Sequence, residues 1–239
     1  MKENLKEFVL FGNFNSIDYA IVNNISIQLK EYDFKLSGFN EIVQTPVPSS
    51  EGDALSLQNA LPNTILTPQP RPALLAEEGK LRITFGLSRI NIDSAIDSID
   101  NIEKFIVLIN SVAKHILSTT NITVNRIALN GRISIERSEK DITFFDKLYK
   151  KTSIYDTDDE FDFRINSKKI SADLGCKINR ITTIHKSDFN FKTQQKAIIL
   201  MYDYNTETNL SRSFSIKDID AFIKESVEFR KLFIEEFRQ

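Results

Sequence analysis

The chain has 239 residues, 41% of them hydrophobic and 27% charged, with 31 basic and 33 acidic side chains and a net charge of −2. That length carries one large domain or two small ones with a full core, and the balanced charge lacks the overall basic excess of a dedicated phosphate-backbone binder. A single cysteine excludes an intrachain disulfide and fits a cytoplasmic setting, and no apolar run approaches the ~20 residues of a membrane span.

Residues 6–14, KEFVLFGNF, predict a short strand, and the apolar run there is too short for a signal peptide. Over 16–31, Ile17, Ala20, Ile21, Ile25 and Leu29 recur at spacings of three and four. That predicts a helix capped by Ser16, with a strand as the alternative because the segment is rich in β-branched residues. Residues 33–43 predict extended chain. All six prolines (Pro46, Pro48, Pro62, Pro68, Pro70 and Pro72) fall within 44–72. Each removes a backbone donor and disfavours helix before it, so the window predicts a Pro-rich loop, either a surface excursion or a partner-binding arm.

Leu81, Ile83, Phe85 and Leu87 alternate with Arg82, Thr84, Gly86 and Ser88, so 80–92 predicts one strand with a core face and a water face. Residues 97–117 predict a helix, with Ile99, Ile102, Phe105, Ile106, Ile109, Val112, Ala113 and Ile116 on one stripe. Its cap is expected from Asp100 with Glu103, or from Ser94 with Asp97. In TVNRIALNGRI, residues 123–133, Ile127 and Leu129 are the inward pair. Val124, Arg126, Ala128 and Asn130 point the other way, and Asn130-Gly131 turns or bulges the chain. A short helix is expected at 143–150, then an acidic stretch at 156–162. Strands follow at 160–166, 169–175, 177–185 and 196–204. A helix over 217–237 closes the chain, capped by Ser215, with Ile219, Phe222, Ile223, Phe229, Phe233 and Phe237 on its apolar side.

Strand runs separated by single long helices predict an α+β fold of mainly antiparallel sheets, each packed by a long helix, in one unit over 1–239. KINRIT at 177–182 echoes VNRIAL at 124–129, which opens the option of two related halves, 1–121 and 122–239.

Catalytic signals are scarce. The seven glycines form neither phosphate-binding fingerprint. One cysteine and two histidines cannot build a common zinc set without carboxylates. Cys176 reads as a small buried residue rather than a nucleophile paired with His185. Asp156, Asp158, Asp159, Glu160 and Asp162 concentrate oxygen ligands suited to a hard cation, but without the spacing of a calcium loop. The stretch HKSDFNFK offers only a weak stacking surface for single-stranded nucleic acid.

Arg126-Ile127-Ala128-Leu129, Met201-Tyr202-Asp203-Tyr204 and the final aromatic-rich helix resemble the central strand and C-terminal end of a sporadically distributed family of bacterial α+β proteins. Asn130-Gly131 stands where that family has an Arg-Tyr pair. The resemblance covers residues 70–239 and implies an architecture, with no activity to carry over. The expectation is a non-catalytic, cofactor-free, cytoplasmic module that binds a protein partner or its own copy, of the antitoxin, immunity or defence-accessory kind. Arg71, Arg82, Arg126 and Arg132 are its candidate partner-binding residues. Two other classes stay open: a metal-dependent nuclease or hydrolase on Asp156, Asp158, Asp159 and Glu160, and a nucleic-acid-binding module using Arg126 and Arg132.

Overall fold

The structure, a computed structural model, describes residues 2–46, 64–95, 102–119, 122–136, 161–187, 197–209 and 211–238. In chain order the main elements are β1 (Lys2–Asn13), α1 (Tyr19–Gln28), β2 (Lys35–Pro46), β3 (Thr64–Ala76), β4 (Leu81–Phe85), β5 (Arg89–Ser94) and α2 (Ile102–Thr119). After these come β6 (Thr123–Glu136), β7 (Phe161–Ser171), β8 (Cys176–Ser187), β9 (Ala197–Thr206) and α3 (Ile216–Arg238). The strands form one antiparallel sheet in the order β2-β3-β4-β5-β1-β6-β9-β8-β7. The fold is therefore α+β and mostly sheet. Among the described residues, a single sheet replaces the several expected, and three helices share one of its faces.

Each flank is a meander that closes on a central strand and is followed by a long helix. β3, β4 and β5 close on β1 before α2, and β7, β8 and β9 close on β6 before α3. The KINRIT and VNRIAL segments lie on β8 and β6, which hold different places in this order.

The helix side holds the core. Phe8 and Leu10 of β1, Ile90 and Ile92 of β5, and Ile127, Leu129 and Ile133 of β6 are all buried there. Phe222 of α3 meets Phe8 edge-on at 6.2 Å and Tyr204 at 5.4 Å, and Phe233 meets Tyr202 at 5.6 Å. These rings add directional contacts to the area they bury. The helix caps are local. Asp18, rather than Ser16, accepts from the Ile21 amide at 2.9 Å. At α3, Asp218 accepts from the Ser215 amide at 2.7 Å while its own amide donates to Ser215 Oγ, a reciprocal box. Ser94 lies in β5, while Asp97 and Asp100, the other residues expected to cap α2, lie outside the described residues.

Two bulges decide which side chains face where. Between Glu3 and Leu5 the β1–β6 register slips at Asn4, so Glu3 joins Lys6 and Phe8 on the helix side although it is an odd step away. Between Phe11 and Gly12 the register slips at Asn125, so Val124 enters the core with Ile127. Strict alternation had placed Val124 with Arg126, and the extra residue reverses that.

Asn130-Gly131 makes no turn. Both lie inside the single strand β6, and Gly131 pairs with Tyr202 of β9. A Cβ on Gly131 would come within 2.1 Å of the Tyr202 ring, so the glycine is there to admit that ring. The reverse error occurs at 80–92, where one predicted strand is a hairpin. Gly86, Leu87 and Ser88 form its turn, closed by Gly86 N–H donating to Arg89 C=O at 2.9 Å.

The Pro-rich window is also partly strand. Residues 44–46 belong to β2 and 64–72 to β3, while 47–63 lie outside the described residues. Pro68, Pro70 and Pro72 pair with Ile42, Asn40 and Gly38 of β2. Their spacing of two sends all three missing N–H positions to the side away from β2, and β4 pairs only with Ala73–Ala76. No ladder bond is lost, which is how three prolines fit one strand.

Candidate functional site: the helix-free face of the sheet

Among the described residues, no helix packs on the other face. One row of direct register partners crosses it: Arg82, Asp93, Glu7, Asn130 and Asp203, on β4, β5, β1, β6 and β9. Arg82 donates to one oxygen of Asp93 through Nε at 3.0 Å and Nη2 at 2.8 Å. Asn91 and Asn130 donate to the two oxygens of Glu7 at 3.0 and 2.9 Å. Asn205 donates to Asp203 at 2.7 Å, and Asn179 donates to Asn205 at 3.0 Å. The carboxylates thus form a hydrogen-bonded floor. Burial raises the pKa of Asp93 and Asp203. The bonds and charge of Arg82 oppose this at Asp93, and Asn205, Arg126 and Arg164 oppose it at Asp203.

The floor is incompletely satisfied. Among the described residues, seven buried side-chain polar atoms lack a hydrogen-bond partner within the protein. Five lie on this face: Oδ1 of Asn91, Asn130 and Asn179, Oδ1 of Asp93, and Nε of Arg126. Native proteins leave few such atoms, so their concentration on one face marks it.

Above the floor stand four exposed arginines. Arg82, Arg89, Arg132 and Arg164 are exposed, and Arg132 and Arg164 share the next row with Met201 and Thr183. Arg126 is half-buried, its guanidinium carbon 4.7 Å from the centre of the Phe11 ring. Three of the expected partner-binding residues, Arg82, Arg126 and Arg132, thus share one face. Arg71 shares their side of the sheet by register but is not exposed with them. It is buried, and its guanidinium donates to the carbonyls of Phe85 (3.0 Å), Phe14 (3.1 Å) and Gly86 (3.4 Å), which ties β3 to two loop starts.

The other chemical expectations separate by position. Asp156, Asp158, Asp159, Glu160 and the helix at 143–150 lie outside the described residues, as does most of HKSDFNFK. Asp162 is described and meets His185 Nδ1 at 2.5 Å on the open face. Cys176 and His185 sit on opposite faces of β8, so they cannot form a dyad, and burial pushes the Cys176 thiol up rather than activating it. Among the described residues, no group of three or more His, Cys, Asp or Glu is placed to hold a metal ion. No helix among them is long and apolar enough to cross a membrane.

The sequence reading missed a buried charged cluster on the helix side. Arg230 Nε donates to Glu3 Oε1 at 2.9 Å, its Nη2 donates to Glu3 Oε2, and Tyr202 Oη donates to Glu3 Oε1 at 2.7 Å. Lys6 Nζ lies 3.5 Å from Glu3. Burial lowers the Arg230 pKa, but the bonds and charge of Glu3 outweigh it and raise it overall. A signal was present in the sequence: Arg230 falls on the same helical stripe as Ile223, Ser226 and Phe233.

No protein-family model matches the chain, and no curated protein matches it. The sheet and its two faces therefore carry the functional argument by themselves.

Proposed function

We propose that the protein is a non-catalytic, cytoplasmic binding module that holds an acidic protein surface on the helix-free face of its sheet. The observation that carries this reading is the layered chemistry of that face. Exposed Arg82, Arg132 and Arg164 stand over a floor whose asparagine oxygens lack donors. A protein surface supplies carboxylates for the exposed guanidinium groups. The chain has no basic excess to set against a phosphate backbone, which favours protein over nucleic acid. An immunity, antitoxin or defence-accessory role is one form such a module takes.

Co-purification from the native host tests the reading. The variant Arg82→Gln with Arg132→Glu and Arg164→Glu should lose the partner. A control carrying Lys217→Glu, Lys224→Glu and Lys231→Glu on α3 should retain it. Equal retention by both variants would overturn the reading. Salt-dependent oligonucleotide binding that vanishes in the first variant would replace it with the nucleic-acid alternative.

A further inference from the structure

Beside the polar row, the open face contains a cavity of about 560 Å³ at the root of the β2–β3 hairpin. Phe39 and Glu41 of β2 line one side, and Phe11, Thr84, Ser88 and Arg89 line the other. Its walls combine four features. Phe11 and Phe39 bring two half-buried aromatic rings to one space, and Arg126 rests on the Phe11 ring from the neighbouring strand. Arg89 is the register partner of Phe11 on β5 and is exposed, so its cation stands at the cavity wall. Glu41 accepts from the Leu87 amide at 2.8 Å, which holds the hairpin against the β4–β5 turn. Thr84 and Ser88 add hydroxyls that both donate and accept.

We propose that this cavity binds a heteroaromatic anion of nucleoside-monophosphate size. The flat ring stacks on Phe11 and Phe39, its polar edge meets the hydroxyls and the Glu41 carboxylate, and its anionic group pairs with Arg89. The volume has room for an occupant of this size. A single benzyl side chain leaves most of 560 Å³ unfilled, whereas small-ligand sites span ~300–1,000 Å³. The charge matches as well, because Arg89 and Arg126 outnumber Glu41 around the rings. This site is separate from the proposed protein-binding residues Arg82, Arg132 and Arg164, so either reading can fail without the other.

Calorimetry and NMR titration of the full chain with AMP, GMP, CMP and UMP test the proposal. Adenosine and inorganic phosphate serve as half-ligands. At least one monophosphate should bind with a dissociation constant below about 1 mM. Phe39→Ala and Arg89→Ala should each weaken it about tenfold or more, the scale of one stacking or one charged contact. Both half-ligands should bind more weakly than the whole. Thermal melting confirms that the variants fold, and neither substitution removes a fully buried side chain. Two results would overturn the proposal: no binding of any monophosphate up to about 1 mM, or binding that neither substitution weakens.

Discussion

Glu3 and Glu7 lie on the same strand, four positions apart, and meet opposite fates. Without the bulge at Asn4 both would face the same way. With it, Glu3 turns into the core beneath α3, where Arg230, Tyr202 and Lys6 surround it. Glu7 turns to the open face, where two asparagines hold it. The buried site is closed: its partners come from a helix and two strands, and they touch one another. The open site is unfinished, since each asparagine that donates to Glu7 leaves its own oxygen without a protein donor. The difference teaches where stability ends and recognition begins, because polar groups that serve the fold are matched inside it.

Breaking the closed site should have the largest effect. Arg230→Ala strands the Glu3 carboxylate in the core, with an expected loss of about 3–5 kcal/mol in urea unfolding. The double replacement Glu3→Leu with Arg230→Met should recover most of that loss. Full additivity of the two single changes would show that the pair is not coupled. Next comes Gly131→Ala, which pushes a methyl group into the Tyr202 ring, for about 1–3 kcal/mol. Tyr202→Ala should cost less in that background than in the parent chain, and a double-mutant cycle measures the difference.

The open face should respond more weakly, and to pH. Asp203 has a raised pKa, so its folded form takes up a proton before the unfolded chain does. Its contribution to stability therefore grows as pH falls through that raised value. Asp203→Asn should stabilise the chain at pH 7, because it removes a charge that burial disfavours. It should also flatten the gain on acidification, read from unfolding curves at about pH 7 and about pH 5. Asp218 and Glu225 act in the opposite sense. Burial pushes both up, but Ser215 at Asp218, and Lys169, Ser171 and Tyr204 at Glu225, outweigh it and leave both lowered. Their stabilisation is present above the unfolded carboxylate range and is lost as pH falls through the lowered values. The smallest effect belongs to Arg132→Ala, which should change stability by no more than about 0.5 kcal/mol. A larger loss would assign that guanidinium to the fold and remove it from the binding face.

Periodicity made the long elements legible. The α3 stripe from Ile219 to Phe237, the α2 stripe from Ile102 to Ile116 and the inward pair Ile127 and Leu129 all lie where spacing put them. What stayed hidden depended on contacts between distant parts of the chain. Gly131 reads as a turn until Tyr202, seventy-one positions later, is set across from it. Val124 reads as outward until the slip at Asn125 is known. Arg71 and Arg82 look equivalent in sequence, yet one meets three carbonyls and the other meets Asp93 and water. The open face was half visible: three arginines were named, while the asparagine ladder beneath them has no one-dimensional signature.

The prolines of β3 have a consequence for how the molecule lives among its own copies. A long extended ribbon standing clear of its neighbours would ordinarily template further strands and seed fibrils. Along Pro68, Pro70 and Pro72 the outward side of this ribbon offers no amide to an incoming chain. That margin is closed to strand addition, so an incoming copy would have to pair along the sheet's edge strands, β2 or β7.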